Sequence, residues 1–385
     1  MITKIEASGY RCLRHVEQSL KPWQVLVGPN GSGKSAFLDV IAFMGDLASG
    51  TLKDAVRERS ESFYDLVWGR DADSFRLAIE ARRPATPGAR QTSPAVDVRF
   101  EINVRIDARD DDIILADERL SLAKSSGEWS PVMVRDGLQL SYSAETTDYR
   151  YDFRLSPMYS GLVNLPLDES VFPTAIWLKN LLLGGVKTVA LDNELLRAAG
   201  PPGQGKPRVY DGFNLARLVE QLRSAERAAF DAWISHVQTA IPDLKDIKTI
   251  LRPEDKYRYL LVQYAGGLEV PAWMVSDGTL RLLALTLLAY LPGPEPVYLV
   301  EEPEVGIHPT AVETVIQSLS SVYGGQVLIT SHSPAVLSLA SPEHLLCFQR
   351  TSEGAAIIPG SEHPLLREWK AGVNVSDLFA TGVLG

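Results

Sequence analysis

The sequence predicts an α/β fold: a mixed sheet flanked by helices, with an antiparallel β lobe and a short helical insert. Three observations carry this expectation. Short continuous apolar runs at 23–27, 297–300 and 327–329 read as strands buried on both faces, as in a parallel sheet covered by helices. Residues 75–155 alternate apolar and polar in short runs, such as Val96-Asp97-Val98-Arg99-Phe100-Glu101-Ile102-Asn103-Val104, the period of antiparallel strands. Residues 160–245 then turn to helical periodicity, interrupted by a loop at Gly200-Pro201-Pro202-Gly203-Gln204-Gly205-Lys206-Pro207. The chain divides accordingly into 1–160, one half of the α/β domain with its β lobe; 161–245, the helical insert; and 246–385, the other half.

The run Trp23-Gln24-Val25-Leu26-Val27 feeds directly into Gly28-Pro29-Asn30-Gly31-Ser32-Gly33-Lys34-Ser35, and 36–44 follow with helical periodicity. Strand, glycine loop and helix form the context a phosphate cradle requires. Glycines let the backbone curl so that successive N–H groups point inward at phosphate oxygens, and the helix N-terminus adds partial positive charge there. Lys34 would reach the β- and γ-phosphates, and the Ser35 hydroxyl would ligate Mg²⁺. A glycine-rich turn that merely caps a helix lacks a reason for Lys-Ser in this register.

Pro294 and Pro296 punctuate the chain before Val297-Tyr298-Leu299-Val300, which runs straight into Glu301-Glu302. Acids at the C-terminal end of a buried parallel strand sit at the crevice where such sheets bind ligands. Glu301 takes the place of the acid that holds the Mg²⁺ shell in P-loop NTPases, usually an Asp. Glu302 is the candidate to orient and polarise the attacking water. His332 follows the next apolar strand, where it could donate to charge developing on a γ-phosphate without acting as a metal ligand. His308, beside Pro309 at the start of a helix, could equally cap or pack.

Ser276-Asp277-Gly278-Thr279 precedes the helical stretch 280–288. A Ser or Asp at a helix start is by itself an ordinary N-cap. Just upstream of the acidic strand, however, the string resembles the signature loop of ABC-type ATPases, which presents a helix N-terminus to ATP held by the opposite subunit. Each cradle would then be half a site, which implies a head-to-tail, two-fold dimer with two ATPs at its interface.

With these strings together, the chain resembles the RecF/SMC-like branch of ABC ATPases, and more closely the compact bacterial RecF-like predicted ATPases that carry an AAA-type label. Ile5-Glu6-Ala7-Ser8-Gly9-Tyr10-Arg11-Cys12-Leu13 looks like the family's N-terminal hairpin, and Glu301-Glu302-Pro303-Glu304 with Ile307-His308-Pro309 like its acidic strand and following loop. Thr330-Ser331-His332-Ser333-Pro334 looks like its switch loop, and Ser376-Asp377-Leu378-Phe379-Ala380-Thr381-Gly382 like its ending. The resemblance implies that Asn30, Gly31, Ser32, Gly33, Lys34 and Ser35 bind phosphate and metal, and that Ser276 and Gly278 reach the partner's γ-phosphate. It implies a place near the nucleotide for Arg11, whose other reading is a simple surface role. Two departures stand out. Asp277 and Thr279 replace the Gly and Gln of the transporter signature, and no glutamine is placed for the Q-loop, Gln91 lying in a Pro/Gly/Ser-rich stretch.

Composition narrows the functions. Two cysteines, Cys12 and Cys347, give no disulfide framework, and no Cys/His cluster has zinc spacing. No charged-then-apolar leader opens the sequence, and no apolar stretch is long enough to cross a bilayer, so a cytoplasmic protein is expected. A formal charge of −10 argues against a generally DNA-coating surface. A local basic groove is the exception: Arg11, Arg14, Arg57, Arg59, Arg82 and Arg83 either converge or lie on solvated faces. No heptad persists through the helices at 215–222 and 225–241, which removes a long coiled-coil arm and leaves a docking surface. Overcoming-lysogenization-type nucleases resemble this ATPase but append a Toprim domain; the residues after His332 hold no such acid cluster, so nucleolysis would come from a separate polypeptide. The resemblance thus implies a hydrolysing ATPase, the sensor or motor of a bacterial phage-defence or DNA-repair complex with a separate nuclease-like effector. The alternative is a nucleotide-locked scaffold that oligomerises and sequesters a partner with little turnover. A transporter subunit is disfavoured by the His-Pro loop and helical insert, and a GTPase by the lack of an Asn-Lys-x-Asp string.

Overall fold

A computed structural model describes residues 1–85, 96–107, 112–124, 126–203, 208–293 and 295–367. Pro294, Gln91, the end of the 200–207 loop and the closing string 376–382 lie outside the described residues. The chain opens with β1 (Ile2–Tyr10), β2 (Leu13–Ser19), β3 (Trp23–Val27), α1 (Lys34–Ser49) and α2 (Leu52–Arg57). Six further strands follow: β4 (Ser74–Arg83), β5 (Val96–Asp107), β6 (Asp112–Ala123), β7 (Trp129–Asp136), β8 (Gln139–Ser143) and β9 (Arg150–Arg154). Then come α3 (Pro173–Asn180), β10 (Val186–Val189), α4 (Asn193–Arg197), β11 (Val209–Tyr210), α5 (Leu215–Ala225) and α6 (Arg227–Ala240). The chain continues through β12 (Leu244–Leu251), β13 (Arg258–Tyr264), β14 (Glu269–Pro271), α7 (Asp277–Leu287), β15 (Val297–Glu301), α8 (Pro309–Ser320) and β16 (Gln326–Ser331). It closes with α9 (Pro334–Leu339), β17 (Leu345–Thr351), β18 (Gly354–Pro359) and α10 (Pro364–Arg367).

Among the described residues the elements form two compact units, the first within 1–22, 28–186 and 348–358, the second within 23–27, 187–347 and 359–367. The first unit holds an eight-stranded sheet in the order β2-β1-β4-β5-β6-β7-β8-β9, antiparallel throughout. Its strand β5 buries every second residue, as the alternation at 96–104 predicts: Val98, Phe100, Ile102 and Val104 are all 3% exposed or less. Tyr10, Phe43 and Phe63 gather around Phe75 with ring centroids 4.9, 5.6 and 5.7 Å away, the aromatic centre of this core. The same unit buries one complete ion pair, Glu118 with Arg135 at 3.2 Å, both side chains without exposure.

The second unit carries the parallel part of a seven-stranded sheet ordered β11-β10-β15-β16-β3-β17-β18, and a three-stranded antiparallel sheet β12-β13-β14. Burial on both faces explains the apolar runs: Val297 to Val300 and Gln326 to Ser331 are buried without a break. The stretch read as helical from 160 to 245 does contain α3, α4, α5 and α6, with α5 and α6 close to the two expected helices. It also contains β10 and β11, which pair in parallel with Thr188 opposite Val209 and join the large sheet. Strands this short carry too few residues to display a period of two, so no sequence pattern marks them.

Candidate functional site

The loop between β3 and α1 is shaped by three glycines with left-handed φ, Gly28 at 149°, Gly31 at 74° and Gly33 at 105°. A side chain on Gly28 would collide with the Phe348 carbonyl, and one on Gly33 would come within 2.9 Å of Ala355 and 3.2 Å of the Cys12 sulfur. Nothing lies within 4 Å of a Cβ at Gly31, so that position needs glycine for conformation alone. Phe37 of α1 meets Phe348 edge-on at 5.5 Å, fixing the helix whose N-terminus the loop feeds. Lys34 is buried, its ammonium donating to the carbonyls of Gly28 at 2.8 Å and Pro29 at 2.9 Å. Ser35 is exposed on the first turn, as are Asn30 and Gly31 on the loop. The Ser32 hydroxyl is buried and has no hydrogen-bond partner among the described residues. An unsatisfied buried donor in a curl of left-handed glycines fits an anion that accepts from it. Beside the loop, within the first unit, a cleft of about 690 Å³ is lined by Gly31, Ser32, Cys12, Trp68, Arg350 and neighbouring residues.

Arg11 stands against the helix that the loop feeds. It sits at φ 50° in the β1–β2 turn and pairs with Asp39 of α1 at 3.2 Å. The Tyr10 hydroxyl donates to the same carboxylate at 2.7 Å, and Arg59 donates to its other oxygen at 2.7 Å. Arg11 thus helps fasten the hairpin to the helix that starts at Lys34.

In the second unit, β15, β16 and β3 run parallel and their ends align, Glu301 opposite Thr330 and Ser331 opposite Val27. The chain leaves this edge three times: into Gly28, into Glu302 and into His332. Glu301 is exposed at the last position of β15. Glu302 takes φ 45°, a conformation costly for a residue with a Cβ, while its N–H donates to the Thr330 carbonyl at 3.0 Å. That turn brings its carboxylate within 3.4 Å of His332 Nε2, with the two side chains 44% and 29% exposed. Ser331 donates its hydroxyl to Glu304 at 2.6 Å, and the His332 N–H points to the same oxygen at 3.4 Å. Glu304 therefore ties the loop after β15 to the loop after β16, and its second oxygen is buried without a partner among the described residues. Within its motif Glu304 has no role that local sequence assigns; its one signal is a third acid within four residues of the strand end.

Ser276 caps α7, accepting from the Thr279 N–H at 3.2 Å and donating to the Thr279 hydroxyl at 2.8 Å. Asp277 is gripped by Arg197 of α4 at 2.8 and 2.6 Å, and Arg197 also donates to the Trp273 carbonyl at 2.9 Å. This accounts for an acid where the transporter signature has glycine. Gly278 is required sterically, since a Cβ there would lie 2.8 Å from the Gly306 carbonyl in the loop after β15. Trp273 and Met274, just before the cap, are 47% and 71% exposed. His308 takes the capping role: it precedes α8 and its Nδ1 accepts from the Thr310 N–H at 3.4 Å.

Residues 25–338 match the profile of a family described as "AAA domain, putative AbiEii toxin, Type IV TA system". No curated protein matches the chain. Among solved structures, the chain is similar to an SMC head crystallised with the C-winged helix domain of ScpA, at a TM-score of 0.56 and 16% identity over 93% of this chain and 97% of that one. It is similar also to an SMC head domain from Pyrococcus furiosus, with an extended coiled coil and bound to the C-terminal domain of ScpA, at a TM-score of 0.54 and 15% identity over 96% and 98% of the two chains. At such identity the likeness speaks for the fold: that of an SMC-head P-loop ATPase, an ABC-type mixed α/β arrangement. No helix among the described residues is long and apolar enough to cross a membrane.

Proposed function

From the premise that this chain belongs to that AAA-domain family, and is an ATPase of the RecF/SMC-like ABC kind, we propose that it binds ATP with Mg²⁺ and hydrolyses it as a head-to-tail dimer. The reading rests most on one observation, the Glu302 carboxylate held on left-handed backbone beside His332 at the shared end of parallel strands. Asn30, Gly31, Ser32, Gly33 and Lys34 surround the phosphates with N–H, hydroxyl and ammonium donors. Ser35 and Glu301 are the exposed oxygen donors for Mg²⁺, which when bound neutralises phosphate charge. Glu302 orients the attacking water as Brønsted base, and His332 steadies that carboxylate and offers its ring N–H to the γ-phosphate. Ser276 and Gly278 complete the site of a second copy, a role supported by the exposed Trp273 and Met274 beside the cap. Arg11, paired with Asp39 of α1, keeps the place near the nucleotide that the resemblance implies, a simple surface role being its alternative.

The same reading keeps 1–160 and 246–385 as the two halves of the ATPase domain and 161–245 as the insert, which offers a docking surface for a separate, nuclease-like effector. Its setting is a cytoplasmic phage-defence or DNA-repair complex, with DNA as a candidate trigger. An ATPase assay on the purified chain with and without DNA tests it. Mg²⁺-dependent phosphate release that is lost in Lys34→Ala is the expected result; tight ATP binding without release would replace it by the nucleotide-locked scaffold.

A further inference from the structure

β9 closes the eight-stranded sheet and is hydrogen-bonded to β8 alone among the described strands. All five of its residues are exposed, and the preceding Thr146 to Tyr149 are exposed too. Soluble proteins guard such an edge, because its free backbone groups are a template for another strand. Here the edge is guarded neither by proline nor by charges of one sign. With the bend residue Asp148 and Tyr149 before it, the strand reads Asp148-Tyr149-Arg150-Tyr151-Asp152-Phe153-Arg154, charges at every even position and aromatic residues at every odd one.

The ladder fixes which groups face outward. The Ala144 N–H donates to the Tyr149 carbonyl at 2.9 Å and the Leu155 N–H to the Leu138 carbonyl at 3.0 Å, bracketing the register Ser143 opposite Arg150 through Gln139 opposite Arg154. Hydrogen bonding alternates along an antiparallel pair, so 149, 151, 153 and 155 spend their backbone groups on β8. The N–H and C=O of Arg150, Asp152 and Arg154 point away from the sheet. On one face of the strand Phe153 contacts Tyr142 at 5.5 Å and Tyr151 contacts Phe172 at 6.2 Å, yet Tyr149, Tyr151 and Phe153 remain 67%, 44% and 36% exposed. On the other face Arg150 pairs with Asp152 at 3.0 Å, both well exposed.

We propose that β9 is a self-recognition edge, which pairs antiparallel with β9 of a second copy of this chain about a two-fold axis through Tyr151. In that register Arg150 faces Asp152 of the second copy, Asp148 faces Arg154, and each relation occurs twice by symmetry. Arg150 and Asp152 form the hydrogen-bonded pair that their outward backbone groups require. Tyr151 meets its own counterpart and Tyr149 meets Phe153, as non-hydrogen-bonded pairs, whose side chains approach closest. Neighbouring registers fail on charge. An axis at Asp152 sets it against itself and Arg150 against Arg154; an axis at Arg150 sets Asp148 against Asp152. An axis at Phe153 keeps only the Asp152–Arg154 relation. Ion pairs at an exposed edge are individually weak, so the charges select the register while the ladder and the aromatic row hold it. This contact needs no nucleotide and is independent of the hydrolytic reading. Combined with a nucleotide-dependent two-fold contact, a second isologous interface builds assemblies larger than a dimer.

A charge exchange tests the proposal on the full chain without nucleotide, read by sedimentation velocity. Wild type dimerises by about 100 μM, the weak end for a specific contact. Arg150→Asp and Asp152→Arg each put like charges opposite one another and weaken self-association by at least about tenfold. Mixed in equal amounts, the two variants restore every opposite-charge relation, so a heterodimer returns at the wild-type concentration; that return also certifies that both variants are folded. Tyr151→Cys, on the axis, forms an intermolecular disulfide with itself under mild oxidation, because opposed residues of a non-hydrogen-bonded pair lie within disulfide reach. A monomeric wild type, variants that associate like wild type, no recovery on mixing, or faster cross-linking of Phe153→Cys than of Tyr151→Cys would each overturn it.

Discussion

Two pairs of a carboxylate with a nitrogen group, one in each unit, have similar separations and almost nothing else in common. Glu118 and Arg135 stand 3.2 Å apart with no exposure, and each makes further hydrogen bonds. Ser160 and the Gly161 N–H, at 2.8 Å, donate to the carboxylate, while the guanidinium donates to the carbonyls of Gly137 at 3.1 Å, Leu155 at 3.3 Å and Tyr159 at 2.6 Å. Burial pushes the Glu118 carboxyl above its ordinary value, and Arg135 acts against that push. Glu302 and His332 stand 3.4 Å apart, open to water, with the acid on strained backbone. The difference teaches where chemistry can happen. A buried pair with several further hydrogen bonds fixes the path of the chain, whereas an exposed carboxylate at a strand end can accept a proton from water.

Breaking the core pair should have the larger effect on folding. Arg135→Leu strands a buried carboxylate and lowers stability by about 3–5 kcal/mol, seen as an early transition in urea unfolding. Loss below about 1 kcal/mol would mean that Glu118 simply takes up a proton. Glu302→Gln reverses the pattern: turnover falls by about 10²-fold or more while the thermal midpoint holds, since the side chain is exposed and replaced isosterically. If phosphate release persists in that variant, a different group positions the water. Smaller in stability is Ser276→Ala, which removes the cap of α7 at about 1 kcal/mol and is read by chemical denaturation.

The smallest effect sharpens the comparison with a third pair. Arg99, donating to Glu6 at 2.7 and 2.6 Å, holds that carboxyl down to about 2, with Lys4 assisting. A folded value below the unfolded one means stability that is present above about 4.5 and lost as pH falls toward 2. The pair is partly exposed, so the loss stays under about 1 kcal/mol. Arg99→Ala should flatten the acid limb of an unfolding-versus-pH curve; an unchanged limb would remove Glu6 from it.

The parts of the molecule legible in its sequence are those whose signal is local. The strand 23–27, the glycine loop and α1 follow one another without a gap, and the apolar runs ending at Val300 and Ile329 announce doubly buried strands. Alternation at 96–104 announces the large antiparallel sheet. Relations set by register were not legible. Glu302 meets His332, and Glu304 meets Ser331, only because β15 and β16 align, and Arg197 finds Asp277 across 80 residues of chain. The β12-β13-β14 sheet also went unread, in part because its first strand ends with Ile250 and Leu251 exposed, which blurs the alternation.

In the proposed dimer, the triphosphate cradled by Lys34 of one copy is completed by Ser276 of the other. Mixing Lys34→Ala with Ser276→Arg tests it most directly, each variant being inactive alone. Roughly a quarter of wild-type turnover should return, because half of the dimers are mixed and each of these holds one intact site. A mixture as inactive as its components, in which subunit exchange is verified, would contradict the claim.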